Sequence, residues 1–220
     1  MAYRKIKFDS SRKVYVILDL NAFRISDLRK LDYLLSGQIC AIQIWDNQKV
    51  YEDKFDLLEQ IIAIAHVHEI PVLINNQVSM LPKLDFDGVH FDEIPIHWDD
   101  IKDLLQGKIV GMTCTNDEHI LTWAAQQHID YLSFCSLFPS ANNSKCELVN
   151  REFLIRAQKQ LQIPFFLAGG ITPENIPELN NLNYQGIALV SGLMQQEQPK
   201  EIVEKYYNQI NQNHENNHHT

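Results

Sequence analysis

Leu167-Ala168-Gly169-Gly170-Ile171-Thr172-Pro173-Glu174-Asn175-Ile176, followed by Gly186-Ile187-Ala188-Leu189-Val190-Ser191-Gly192, is the stretch on which the fold is decided. An apolar run from Pro164 stops at two glycines, and Thr172 with Pro173 behind it reads as a helix start. A second apolar run ends at Val190-Ser191-Gly192. Glycines at the carboxyl end of a strand let backbone N–H groups approach a ligand, and a helix start adds its positive dipole. In a (β/α)8 barrel the loops after the last two strands are the usual phosphate site. The pattern therefore predicts a bound phosphate, provided the rest of the chain supplies eight βα units.

It does supply them. Working outward, short apolar β-branched runs occur at Val14–Leu20, Cys40–Asp46, Pro71–Asn75, Gly88–Asp92, Ile109–Cys114, Tyr131–Phe138, Pro164–Ala168 and Gly186–Val190. Amphipathic stretches at Ser26–Leu35, Lys54–His68, His97–Leu105, Asp117–Gln127, Arg151–Gln160, Pro173–Leu182 and Pro199–Gln212 separate or follow them. Only the segment between Asn76 and Asp87 is degenerate, with room for a short helix at Val78–Leu84. Ser26, Asp117, Asn150 and Thr172 stand where N-caps are wanted, and Gly37, Gly107 and Gly186 where left-handed caps are. The strands are continuously apolar rather than alternating, as expected when both faces are buried. The expectation is one α/β domain, a single (β/α)8 barrel of the TIM type spanning residues 1–207, with a polar tail over 208–220 that frays.

A hydrophobic fraction of 45% is enough for one such core. A formal net charge of −9 argues against nucleic acid, whose phosphates need a basic face. No apolar run reaches the length of a membrane span. Cys40, Cys114, Cys135 and Cys146 have no C-x-x-C spacing and read as reduced thiols of a cytoplasmic protein. No secretory leader is legible at the start. A homo-oligomer is left open.

Several motifs fall at strand ends in a fixed order: Gln43-Ile44-Trp45-Asp46-Asn47, Leu73-Ile74-Asn75-Asn76, Asp87-Gly88-Val89-His90, Val110-Gly111-Met112-Thr113, Asp130-Tyr131-Leu132 leading to Phe138-Pro139-Ser140, and the two glycine loops. In this order they resemble the thiamine-phosphate synthase family, which also includes thiazole tautomerases, over about Tyr15 to Met194. The resemblance implies a barrel enzyme of thiamine biosynthesis. Such an enzyme joins hydroxymethylpyrimidine diphosphate to thiazole phosphate and releases pyrophosphate with Mg2+ assistance. It assigns Gly169, Gly170, Val190 and Ser191 to the thiazole phosphate, and Gln43, Asn75, Thr113, Ser140 and Lys145 to the remaining substrate.

At the pyrophosphate end the chain departs from the family pattern. Trp45 and Asn47 occupy the arginine and lysine positions of Q-x-R-x-K, and Asn76 replaces the aspartate of the N-D pair. Pro95 falls near the second metal carboxylate, leaving Asn76, Asp92 and Glu93 as weak metal candidates and no assigned catalytic residue. Nothing aromatic replaces an arginine fork on phosphate. Two readings follow: an impaired synthase, or a binding or regulatory homologue that keeps the phosphate cradle. A third, a barrel enzyme for another phosphorylated heterocycle, has less support. The tautomerase reading is weak because Thr115 stands where that activity uses a histidine. His119 reads as a surface helix residue, His90 as a satisfied core histidine, Trp98 and Trp123 as packing, and Asp19 as a residue at the mouth.

Overall fold

The structure is a computed structural model that describes residues 8–45, 54–139, 147–190 and 193–217. Its strands are β1 (Val14–Asp19), β2 (Ile39–Trp45), β3 (Val72–Asn75), β4 (Gly88–Phe91), β5 (Ile109–Cys114), β6 (Tyr131–Phe134), β7 (Phe165–Ala168) and β8 (Gly186–Val190). They pair in parallel in sequence order, and β8 closes on β1, so the sheet is a closed eight-stranded barrel. Around it lie α1 (Leu28–Leu35), α2 (Phe55–Val67), α3 (Trp98–Ile101), α4 (Glu118–Gln127), α5 (Arg151–Gln160) and α6 (Pro199–Asn217).

Local signals explain much of this. Asp117 Oδ1 accepts the amide of His119, and Asn150 Oδ1 those of Glu152 and Phe153, opening α4 and α5 as their N-cap positions foretell. Gly107 takes φ +78°, a left-handed connection into β5. Gly37 and Gly186 do not adopt that conformation, and Gly186 is instead the first residue of β8. Trp98 and Trp123 pack edge to face at 4.8 Å, as packing residues should.

Four expectations need correction. Ser26 caps nothing: Ile25–Asp27 forms a 3-10 turn with Arg24 before it, and α1 starts at Leu28. β6 ends at Phe134 rather than Phe138, because the chain turns onto β7, where Leu137 and Phe138 donate to the carbonyls of Ala168 and Gly169. The helix expected over Pro173–Leu182 is one 3-10 turn, Ile176–Leu179. Pro177 has no N–H for the Pro173 carbonyl four residues back, and its ring would collide with that carbonyl in a helix. The tail does not fray at Asn208: α6 continues to Asn217, with Ile210 and Asn213 buried.

Side chains inside the barrel are layered. Phe8, Tyr15, Tyr131 and Phe166 form a floor of tilted and edge-to-face rings, with centroids 5.1–6.5 Å apart. Tyr131 fits because Gly111 lies opposite, where a Cβ would come within 2.0 Å of its ring. Above the floor lies a polar layer, and above that the open mouth at the carboxyl ends of the strands.

Candidate active site

Inward-facing residues recur every second position along a strand, so Gln43, Asn75, His90, Thr113 and Ser133 share the layer above the tyrosines. Gln43, Asn75 and His90 are only 4%, 5% and 3% exposed, too little for water to satisfy them. They satisfy one another. The Tyr15 hydroxyl donates to Gln43 Oε1 (3.0 Å), Gln43 Nε2 to Asn75 Oδ1 (2.6 Å), and Asn75 Nδ2 to Asp92 Oδ2 (2.9 Å). On the other side the Tyr15 and Tyr131 hydroxyls lie 2.7 Å apart. His90 Nδ1 is 2.8 Å from the Tyr131 hydroxyl, and its Nε2 is 2.9 Å from Thr113 Oγ1. One chain of hydrogen bonds thus joins β5, β4, β6, β1, β2 and β3.

Burial pushes the His90 imidazole down to about 4, against the opposing pull of Asp92, so it is neutral at pH 7. It is a satisfied core histidine, as expected, rather than a general base open to a ligand. Burial likewise raises the Tyr15 and Tyr131 hydroxyls far above the ordinary range, and pushes the Cys40 and Cys114 thiols up to about 12. Neither thiol is a nucleophile near neutrality.

The chain surfaces at both ends in one cavity of about 350 Å3, lined by Asp92, Thr113, Thr115 and Glu147 among others. Gln43, Asn75 and Thr113 are therefore brought together in one hydrogen-bond chain, and of the three Thr113 lines that cavity. Thr115 Oγ1 donates to the Cys135 carbonyl, and His119 is exposed on α4, so neither takes the tautomerase histidine's place. Asp19 lines a second cavity of similar volume near Lys30 and Met194. Ser140, Lys145, Asp46, Asn47 and Ser191 lie outside the described residues.

The glycine loop also holds its position. Gly169 and Gly170 have φ +86° and +67°, left-handed conformations in succession, so their amides can face one anion. Among the described residues, neither amide has a recorded acceptor. The loop is pinned from behind: Asn175 Oδ1 accepts the Thr172 amide, Asn175 Nδ2 donates to the Gly170 carbonyl, and the Tyr206 hydroxyl donates to the Ile171 carbonyl. The expected helix start is absent here, since the residues that follow form the 3-10 turn Ile176–Leu179. Val190 ends β8 beside this loop, 53% exposed.

At the rim, Asn76 is locked to Asp92. Its Nδ2 donates to Asp92 Oδ2 (2.7 Å), and its Oδ1 accepts the Asp92 amide (3.0 Å). An amide donor thus occupies the place where a cation bridging these two residues would sit. Glu93 is exposed beside it, and the described residues contain no group of three or more acidic, histidine or cysteine side chains able to hold a metal. This donor set does not fit an Mg2+ ion, which takes hard oxygens and usually one or two carboxylates. Trp45, two residues beyond Gln43 on the same inward face, adds no charge.

Comparison with known proteins agrees with this fold. The family model for thiamine monophosphate synthase matches residues 14–193. The chain belongs to this family. A thiamine-phosphate synthase of Nitrosococcus oceani is 28% identical over 186 residues, covering 84% of this chain and 86% of that protein. One of Picrophilus torridus is 26% identical over 176 residues, covering 80% and 86%. In structure, a thiamine phosphate pyrophosphorylase of Pyrococcus furiosus superposes with a TM-score of 0.78 at 20% identity, covering 92% of this chain and 97% of that one. The synthase relatives support an enzyme of this type.

Sequence reasoning missed Tyr15, Tyr131, Asn175 and Tyr206. For the strand tyrosines a signal existed: a Tyr buried on both faces of a sheet needs a partner for its hydroxyl.

Proposed function

We propose that this protein is a thiamine-phosphate synthase with an impaired pyrophosphate end, joining hydroxymethylpyrimidine diphosphate to thiazole phosphate. The observation that carries this reading is the buried hydrogen-bond chain linking Gln43, Asn75 and Thr113, together with the left-handed Gly169-Gly170 pair at the end of β7. The amide and hydroxyl layer would orient the pyrimidine, and the glycine amides would hold the thiazole phosphate. Holding the thiazole nitrogen near the reacting carbon removes the entropy of encounter. The bond to the pyrophosphate oxygen breaks, the electron-rich pyrimidine stabilises the cation, and the thiazole nitrogen supplies the new bond's electron pair. Charge on the departing pyrophosphate needs cationic stabilisation, and Trp45, Asn76 and Asp92 supply none.

A second reading, a binding homologue that keeps the cradle, is favoured by one observation: the Asn76 amide is committed to Asp92. The separating experiment is a steady-state assay with both substrates and Mg2+ on the natural chain and on the Asn76→Asp, Trp45→Arg double variant. We expect weak natural turnover and a clear rise in the variant, since one lost electrostatic donor raises a barrier by about 2–4 kcal/mol. Natural turnover of about one per second or above would overturn the impairment. No activity in either would favour the binding reading. Asn76→Asp alone sets a second carboxylate against Asp92, so its thermal stability should fall without Mg2+ and recover with it.

A further inference from the structure

The hydrogen-bond chain through the barrel has a direction, and one residue sets it. Asp92 Oδ2 accepts the Asn76 side-chain amide as well, so the Asn75 atom facing that carboxylate oxygen must be the donor Nδ2. Asn75 Oδ1 then faces Gln43, which must present Nε2, leaving Gln43 Oε1 for the Tyr15 hydroxyl. Tyr15 has one proton, and that proton goes to Gln43. Its oxygen therefore accepts from Tyr131, whose only proton is used in turn. Tyr131 can then only accept from His90, so Nδ1 carries the imidazole proton. A neutral ring with Nδ1–H has a bare Nε2, which takes the hydroxyl proton of Thr113.

We infer that this one-way chain fixes His90 as the Nδ1–H tautomer and turns the Thr113 oxygen into a pure acceptor, selecting a ring ligand that offers an N–H donor. The rest of the cavity wall agrees. Thr115 also directs its hydroxyl proton inward, to the Cys135 carbonyl, while Asp92 and Glu147 are acceptors by nature. The Asn116 amide, the neutral donor in that wall, is committed to Glu147 and the Leu148 carbonyl. A ligand edge bearing an exocyclic amine meets lone pairs here. The same edge bearing an exocyclic oxygen meets lone pair against lone pair. Tyr15 and Tyr131, which touch no ligand, are positioning residues in this scheme. The ligand side of the inference rests on reading the mouth as a pyrimidine site; the tautomer does not.

The test reads the tautomer directly. Isotope-edited nitrogen NMR of the full chain distinguishes a pyrrole-like Nδ1 from a pyridine-like one. The wild type should show protonated Nδ1 and bare Nε2. In Tyr15→Phe the Tyr131 proton loses its acceptor, and the arrangement that strands no buried donor sends it to His90 Nδ1, moving the ring proton to Nε2. Thr113 then receives a hydrogen bond and frees its own proton for the cavity. Gln43→Met should move the proton the same way by turning both tyrosines, and it serves if Tyr15→Phe fails to fold. A packing role for Tyr15 would not shift the tautomer, because phenylalanine keeps the ring.

Binding is measured with two probes: an aminopyrimidine carrying a hydroxymethyl group, and the pyrimidinone with oxygen in place of the amine. The wild type should prefer the amine by about tenfold or more, and the preference should shrink at least several-fold in Tyr15→Phe. A wild-type ring protonated at Nε2, or a tautomer indifferent to both variants, overturns the directed chain. The expected tautomers without discrimination between the probes overturn the selectivity. The expected tautomers with neither probe bound overturn the pyrimidine-site reading and leave the directed chain standing.

Discussion

The layer beneath the mouth from β2 to β5 is made of side chains, Gln43, Asn75, His90 and Thr113, whereas the loop after β7 is main chain held open at Gly169 and Gly170. In the first each group is satisfied by a neighbour, so a substitution propagates through hydrogen bonds while the backbone stays put. In the second, a side chain cannot be added without moving the backbone. A Cβ at Gly170 would come within 2.4 Å of the Phe138 carbonyl oxygen, and one at Gly169 within 2.1 Å of Ser136 Oγ. The glycine pair thus has a packing reason as well as a ligand reason. A bulky residue at Gly170 therefore disturbs the packing against Phe138 whatever it does to a bound phosphate.

The sharpest way to break this comparison is Gly170→Ala. Left-handed strain and the collision with Phe138 should together lower stability by about 3 kcal/mol, measured by urea unfolding. A variant as stable as the parent would mean the loop yields freely, and the two regions would not differ in kind. Gln43→Met should have a smaller effect, about 2 kcal/mol, from leaving the Asn75 carbonyl without its donor while both tyrosine hydroxyls turn. A denaturation midpoint unchanged in Gln43→Met would show that water or neighbours repair the chain.

The smallest effect belongs to the opposite end of the barrel. Asp87 accepts the Val72 amide and lies 2.9 Å from His66 Nε2; that hydrogen bond, aided by the Asp87 and Asp85 charges, raises the His66 pKa against the cost of burial. A histidine whose pKa is raised on folding contributes fully below its unfolded value, about 6.5, and loses that contribution as pH climbs through the folded one. Stability should fall by about 0.5 kcal/mol as pH rises from below 6.5 through that range, and His66→Gln should flatten the slope. An identical pH profile in the variant would refute the assignment.

Legibility in the sequence followed the same division. All eight strands and the inward amides could be read, because apolar runs and strand-end motifs report burial and position directly. Asp87-Gly88-Val89-His90 could be found but not apportioned: Asp87 binds backbone at the base, while His90, three residues on, joins the interior chain. The Pro173–Leu182 helix was misread because a permissive Pro173 outweighed Pro177, whose effect depends on the carbonyl four residues back. The tail was misread from composition, since Ile210 finds a buried seat that a run of Asn and Gln does not advertise. The proton direction in the interior needed Asp92 placed against Asn75, a contact across seventeen residues that no local pattern encodes.

Phe8 closes the barrel from below, its ring 5.1 Å from that of Tyr131 and 5.2 Å from that of Phe166. The interior is therefore sealed at its base by packed rings and filled above them by its own side chains. A molecule held at the strand ends must then enter and leave by the same rim.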